Sequence, residues 1–267
     1  MRLIILLIIF SLPALNIRAQ SVLSNSGAKN EALGSPISVS DDEWTLWRNP
    51  AGLTSVETPV VSSSIRRSQS VDAFARSIVV AASTNFGSFG LGVGSFGDDI
   101  YNESMASVGF GNRLGIASVG IRADLYQLRI DGNATRKAIG ISVGCITKIS
   151  QKFSIGICAR NVNLPTWARG QPLPVILNSG VSFTPGDNFS VVAEVEKNMD
   201  FDPTFKGGFE YSMRRKFFFR TGFNLFPNAA FGGFGLRMWR CGFDYALKFG
   251  YLPGYAQQLS VTMRFKK

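Results

Sequence analysis

The sequence predicts an all-β protein: a transmembrane antiparallel up-and-down β-barrel of about fourteen strands, with a small N-terminal plug segment. Three observations carry this. After the apolar leader, no stretch offers the roughly 18 uninterrupted apolar residues that a membrane helix needs. From about Thr58 onward, apolar and polar residues alternate with period two in runs of roughly 9 to 13 residues, the length of a tilted membrane strand. The links between these runs alternate short and longer, as tight inner turns and outward loops do in membrane barrels.

The leader comes first. In "MRLIILLIIFSLPALNIRAQ", Arg2 supplies a positive start, Leu3 to Leu12 an apolar core, and Ala19 a small residue at a cleavage position. This reads as a secretory signal peptide, too short to anchor in a bilayer. Residues 1–19 are therefore expected to be the signal, 20–57 the plug and 58–267 the barrel, exported to the outer membrane of a Gram-negative-type envelope.

Composition narrows the partners. The formal charge is +10, and loss of Arg2 and Arg18 with the signal leaves +8. Export removes nucleic acid as the counterpart, so outer-membrane lipid and lipopolysaccharide phosphates are the natural ones; scattered solvated and lumen-facing cations account for the charge equally well. Three cysteines, without metal-ligand spacing, suggest neither a disulfide framework nor a metal site, and no cofactor is expected. A 45% hydrophobic content with 22 Phe and 28 Gly suits a soluble exported protein as well as a barrel, so the strand pattern has to decide.

The pattern is clearest in four runs. "KFSIGICAR" sets Phe153, Ile155, Ile157 and Ala159 against Ser154, Gly156, Cys158 and Arg160. "NFSVVAEVE" sets Phe189, Val191, Ala193 and Val195 against Ser190, Val192, Glu194 and Glu196. "GFDYALKFGY" and "QLSVTMRF" alternate in the same way, and a helix would scatter these residues around its circumference. Strands are expected to begin near Thr58, Ala75, Phe89, Met105, Ala117, Lys137, Lys152, Val175, Asn188, Thr204, Lys216, Ala229, Cys241 and Ala256.

Every second link is short: "NFGS", "GNRLG", "SQK", "TPGDN", "SMRRK" and "WRC". The intervening links are mostly longer, the longest running from Asn161 to Pro174; "FPNA" is a short exception. A β-sandwich has no reason to alternate so. The polar face carries both signs of charge, at Arg122, Asp124, Arg160, Glu194, Lys206, Glu210, Arg220, Arg237, Asp244, Lys248 and Arg264, consistent with paired charges lining a lumen. Gly90, Gly92, Gly94, Gly140, Ser142 and Gly144 on the same face leave room for something inside. Trp239, Tyr211, Tyr251 and Tyr255 lie near strand ends, where amphipathic rings suit the membrane interface and are equally at home as ordinary strand aromatics.

The segment before the strands contains "SVSDDEWTLWRNPAGL". A barrel of fourteen strands is wide enough to need a filling. Trp44 and Trp47 can anchor one against the inner wall, while Asn49 and Pro50 shape a turn and Ala51 and Gly52 permit close approach to the strands. A plain turn leading into the first strand uses the same residues. Asn-Pro-Ala ahead of about fourteen strands resembles the FadL-like outer-membrane transporters of long-chain fatty acids and other hydrophobic compounds. The acidic stretch, the aromatics and Asn-Pro-Ala-Gly-Leu over residues 38–53 resemble the PorV/PorQ branch of that superfamily more closely, a branch that includes accessory proteins of type IX secretion.

The resemblance implies passive passage or binding of a hydrophobic small-molecule ligand. Trp44, Trp47, Asn49, Pro50, Ala51 and Gly52 would shape the constriction, the inward glycines of the third and sixth strands would line the path, and Leu164, Trp167 and Leu173 of the longest loop would contact ligand or partner. The alternative it implies is an accessory barrel that binds secretion-system proteins through its outward loops. A hydrolase is not expected, since neutral-pH general bases are most often His and the chain has none. Asp98, Asp99 and Glu103 are grouped in one outward loop. Arg66, Arg67 and Arg76 flank the first, where they can meet lipid phosphates or remain solvated.

Overall fold

The computed structural model describes residues 27–39, 41–68, 73–167, 170, 172–250 and 254–266. The expected signal peptide, residues 20–26 and Tyr251 lie outside them.

Fourteen strands run β1 (Val60–Ser68), β2 (Ala73–Thr84), β3 (Gly87–Gly97), β4 (Tyr101–Leu114), β5 (Ala117–Ile130), β6 (Arg136–Lys148), β7 (Phe153–Arg160), β8 (Ile176–Gly186), β9 (Phe189–Asn198), β10 (Thr204–Met213), β11 (Phe217–Asn224), β12 (Ala229–Met238), β13 (Cys241–Gly250) and β14 (Tyr255–Arg264). Each pairs antiparallel with its sequence neighbours, and β1 pairs with β14 from Val60–Arg264 to Ser68–Ala256, closing the barrel. Closure leaves no unpaired edge, which a bilayer requires because it offers backbone groups no water. The turns after β2, β4, β6, β8, β10 and β12 span two to four residues, whereas the link from β7 to β8 spans fifteen.

Alternation sorts the side chains. Phe205, Phe219 and Phe243 face outward and are exposed, while Lys206, Arg220 and Asp244 beside them on the same strands face inward and are buried. An apolar surface of that extent belongs against lipid. The wall is uneven in height: β4, β5 and β6 have 14, 14 and 13 residues, against 8 each for β7 and β11.

Two expectations need correction. The fourth strand starts at Tyr101, four residues before Met105, so Glu103 is on β4, facing inward and buried, and does not share a loop with Asp98 and Asp99. The polar run "YNES" hid this, because a hairpin that rises above the bilayer keeps its ladder but has no lipid to enforce alternation. Arg66 points into the lumen, where it pairs with Glu31 at 3.3 Å, so only Arg67 and Arg76 face outward, flanking the ring of Phe74.

Inside the barrel lies the segment from Gly27 to Val56. It forms a short helix α1 (Ala28–Ala32) and two 3-10 turns, Glu43–Trp47 and Pro50–Ser55. Helix α1 packs on β11 to β14, and the 3-10 turns pack on β1 to β6.

Candidate functional site: the filled lumen

Short polar side chains shape the segment. Asp42 caps the first 3-10 turn, accepting from the Trp44 N–H at 3.0 Å. Asn49 caps the second, accepting from the Ala51 N–H at 3.1 Å, and Pro50 takes the first position, where an N–H has no partner to lose. The amide of Asn49 also points the other way. Its Nδ2 donates to Ser38 O at 2.6 Å and Ile157 O at 3.1 Å, with a longer bond of 3.3 Å to Cys145 O. Cys145 and Ile157 are register partners across β6 and β7, so Asn49 ties the motif directly to the wall.

The wall is notched to receive it. A Cβ on Gly144 would fall 1.9 Å from Asn49 Oδ1, and one on Gly120 would fall 2.3 Å from the Pro50 carbonyl carbon. Gly90, Gly92 and Gly109 make room for Leu46, Leu53 and Trp47 in the same way, and Gly140 for Asn161 and Tyr126. Of the inward glycines of β3 and β6, those at 90, 92 and 144 lie directly against the segment.

One side of the lumen is apolar. Trp44 and Trp47, with ring centroids 6.1 Å apart, join Leu46, Leu53, Val56, Val60, Val79, Met105, Tyr126 and Leu173 in one buried cluster, with Trp167 packed against it. Of the three loop residues singled out in the sequence, Leu173 and Trp167 meet this cluster; Leu164 does not, and is 68% exposed. Ala51 and Gly52 are buried within the second 3-10 turn. A small polar knot pins this side: Trp47 Nε1 donates to Ser107 Oγ (2.9 Å), Ser107 to Asp124 (2.5 Å), and Arg122 bridges Asp124 (2.8 Å) to Leu46 O (2.9 Å).

The other side is ionic. Glu196 holds Lys206 at 2.8 Å and Arg160 at 3.3 Å. Arg220 bridges Glu210 (2.5 Å) and Asp244 (2.7 Å), and Arg237 completes the chain on Asp244 at 2.8 Å. Lys248 takes no ion pair among the described residues and lies 5.6 Å from the Phe231 ring. The segment plugs into this wall through charge: Glu194 Oε2 accepts from the N–H groups of Ile37 and Ser38, both at 2.6 Å, and Glu43 takes Thr262 Oγ1 at 2.6 Å and Arg264 at 3.1 Å. Glu194 was foreseen as a lumen charge but not as a contact of the segment, and Glu43 was not foreseen; the acidic "DDE" before Trp44 was the available signal.

Asp42 pairs with Arg48 inside the segment, and Lys29 sits 3.6 Å from it. Burial works against the Asp42 carboxylate, but Arg48, Lys29 and the Trp44 N–H outweigh it and hold its pKa below the usual carboxylate range. Burial likewise opposes the Lys29 ammonium, and Asp42, Asp41 and Glu210 overcome it, raising the pKa. A cavity of about 330 Å³ opens here at the short-turn end, lined by Lys29, Asp42, Glu43, Glu210, Arg237 and Arg264 among others. In the loop after β3, Asp98 accepts from the Ile100 and Tyr101 N–H groups at 2.9 and 2.8 Å, which lowers its pKa and commits it to the turn.

A transmembrane barrel filled by its own N-terminal segment, apolar along one wall and ionic along the other, is the class that fold and lumen define. No protein-family model and no curated protein sequence matches the chain. Solved structures do. The Ralstonia pickettii toluene transporter TbuX superposes with a TM-score of 0.68 at 15% identity, over 91% of this chain and 99% of that one. The monoaromatic hydrocarbon channel CymD gives 0.69 at 14% identity, over 92% and 99%. A Pseudomonas aeruginosa FadL homologue gives 0.63 at 10% identity, over 90% and 98%. At such identities the likeness is one of fold.

Proposed function

We propose that the chain is a FadL-like outer-membrane channel, exported by a signal cleaved after Ala19, through which hydrophobic small molecules pass along the apolar side of the lumen. The observation that carries this is the buried apolar cluster. It extends from Leu173 and Trp167 at the long-loop end, past Trp47, Leu46 and Leu53, to Val56 and Val60 at the short-turn end. An apolar solute gains free energy by leaving water, about 0.8 kcal/mol per buried CH₂, and loses it wherever it must strip water from charge. Such a solute therefore keeps to the β1–β6 side, where entering between the wall and the segment exchanges one apolar contact for another. The ionic side holds the segment in place meanwhile. The hydrocarbon channels named above favour this reading, while the type IX accessory reading rests on the resemblance of residues 38–53 alone.

The test is tryptophan fluorescence of the reconstituted chain titrated with toluene and with a long-chain fatty acid. A saturable change with at least one of them is expected, weakened severalfold by Trp47→Ala and by Leu173→Asp. No saturable change with either probe would sink the reading.

A further inference from the structure

The short-turn rim carries residues that its turns do not want. Tight hairpin turns that need positive φ use Asn or Gly almost by default. Here Arg214 and Arg215 occupy that conformation between β10 and β11, at φ 52° and 56°, and Trp239 does so between β12 and β13, at φ 56°. For a bulky residue this is a costly backbone region. Trp239 is also fully exposed, as are, nearly so, the turn-tip residues Phe86 (84%) and Ile116 (74%). The turns themselves give no reason for these side chains, so the reason lies in what the rim touches.

Its charge is one-sided. Exposed or half-exposed cations include Lys148, Lys152, Arg214, Lys216, Arg240 and Lys266. The exposed acids at this end are few: Asp187 is taken by Arg215 at 2.5 Å, Asp41 lies 3.9 Å from Lys29, and Glu57 remains. The apolar residues among the cations continue the lipid-facing surface without a break, since Leu114, Met213 and Met238 end the outward faces of β4, β10 and β12. Aromatic and aliphatic tips interleaved with long cationic side chains, at the lower edge of a lipid belt, match the headgroup layer of a membrane: rings at the interface and cations reaching phosphate.

We propose that this rim is a binding surface for anionic phospholipid headgroups. With the short turns on the inner side, as in other membrane barrels, it faces the periplasmic leaflet. Lipid retention does not depend on solute passage, so the two proposals fail separately.

The experiment places the full chain in nanodiscs of equal parts phosphatidylethanolamine and phosphatidylglycerol and identifies the lipids retained on release by native mass spectrometry. Phosphatidylglycerol is expected to be enriched severalfold. The enrichment should vanish in a variant carrying Lys148→Gln, Lys152→Gln, Arg214→Asn and Lys216→Gln, and persist with Arg129→Gln and Lys137→Gln at the opposite end. Trp239→Gly should leave the barrel as stable as before, or more so, while removing the fluorescence quenching caused by headgroup-proximal brominated lipid. Equal retention of both lipids, enrichment untouched by the fourfold variant, or capture of an acidic soluble protein without lipid preference overturns the proposal. So does a Trp239→Gly barrel that unfolds more easily, for then the ring serves packing.

Discussion

The two sides of the lumen solve one problem by different means. Along β1 to β6 the segment is held by shape: inward glycines let its backbone and its leucines and tryptophans come up to the wall, and the contact is mostly apolar. Along β8 to β14, and across the seam at Arg66 of β1, it is held by charge, with Glu194, Glu43 and Glu31 acting as sockets and studs. Contacts based on shape have no directional partner, so a solute can replace them. Buried ionic contacts cannot be exchanged without exposing a charge to low dielectric, at a cost of several kcal/mol. The comparison places tethering on the ionic side and, under the proposed function, passage on the apolar one.

The strongest challenge to that division is removal of a tether. Glu194→Ala takes the acceptor from the Ile37 and Ser38 N–H groups and a carboxylate from beside the buried Lys206, and is expected to loosen the segment by about 3–5 kcal/mol. Protease cleavage within residues 27–57 of the reconstituted protein would show it, with the barrel's own resistance to unfolding largely kept. If the segment stays protected, charge is not what holds it.

A steric lesion on the other side should do less. Gly120→Val drives a side chain into the Pro50–Ala51 backbone, which has no rotamer to yield, and overpacking of this kind costs about 1–3 kcal/mol. Gly232→Ala, where a Cβ meets nothing within 4 Å, is the control and should be neutral. Single-channel conductance should rise in the first and not in the second. Equal behaviour would erase the distinction between notched and open wall.

The smallest effect is a pH dependence confined to the acid side. The folded pKa of Asp42 is depressed, so its contribution is complete above the ordinary carboxylate value and is lost as pH falls through the lowered one. Segment protection should therefore decline in acid, and Asp42→Asn, already weakened, should show a flatter acid limb. A matching decline in the variant would shift the cause to other carboxylates.

How much of this was legible in the residues varies with the solvent each one meets. Period two is enforced by lipid on one face, so the strands in the bilayer could be read almost to the residue, as at Ala117, Thr204, Ala229 and Cys241. Where β4 rises above the lipid, the constraint lapses and Tyr101 to Ser104 looked like loop. Asn49 and Pro50 announced a turn because capping is local chemistry. The partner of Gly144 could not be read, since a glycine records that space is needed and not which group fills it. The first 3-10 turn was hidden: packing against the inside of a cylinder leaves no amphipathic period to detect. The pairing of Glu43 with Arg264 joins residues 221 positions apart, beyond any local signal.

The seam between β1 and β14 sets an order of events. Strands on either side of it grip the same interior segment: β1 through Arg66 on Glu31, β14 through Ser260 on the Ala28 N–H and through Thr262 and Arg264 on Glu43. A cylinder cannot easily be threaded once shut, so its contents have to be in position before the first and last strands zip. Joining them also closes the longest loop in the chain, a late and slow event for any folding polypeptide. The leading residues thus act as a mandrel around which the wall is wound, and a chain deprived of its final strand would lose both the latch and several of the fastenings that keep the mandrel in place.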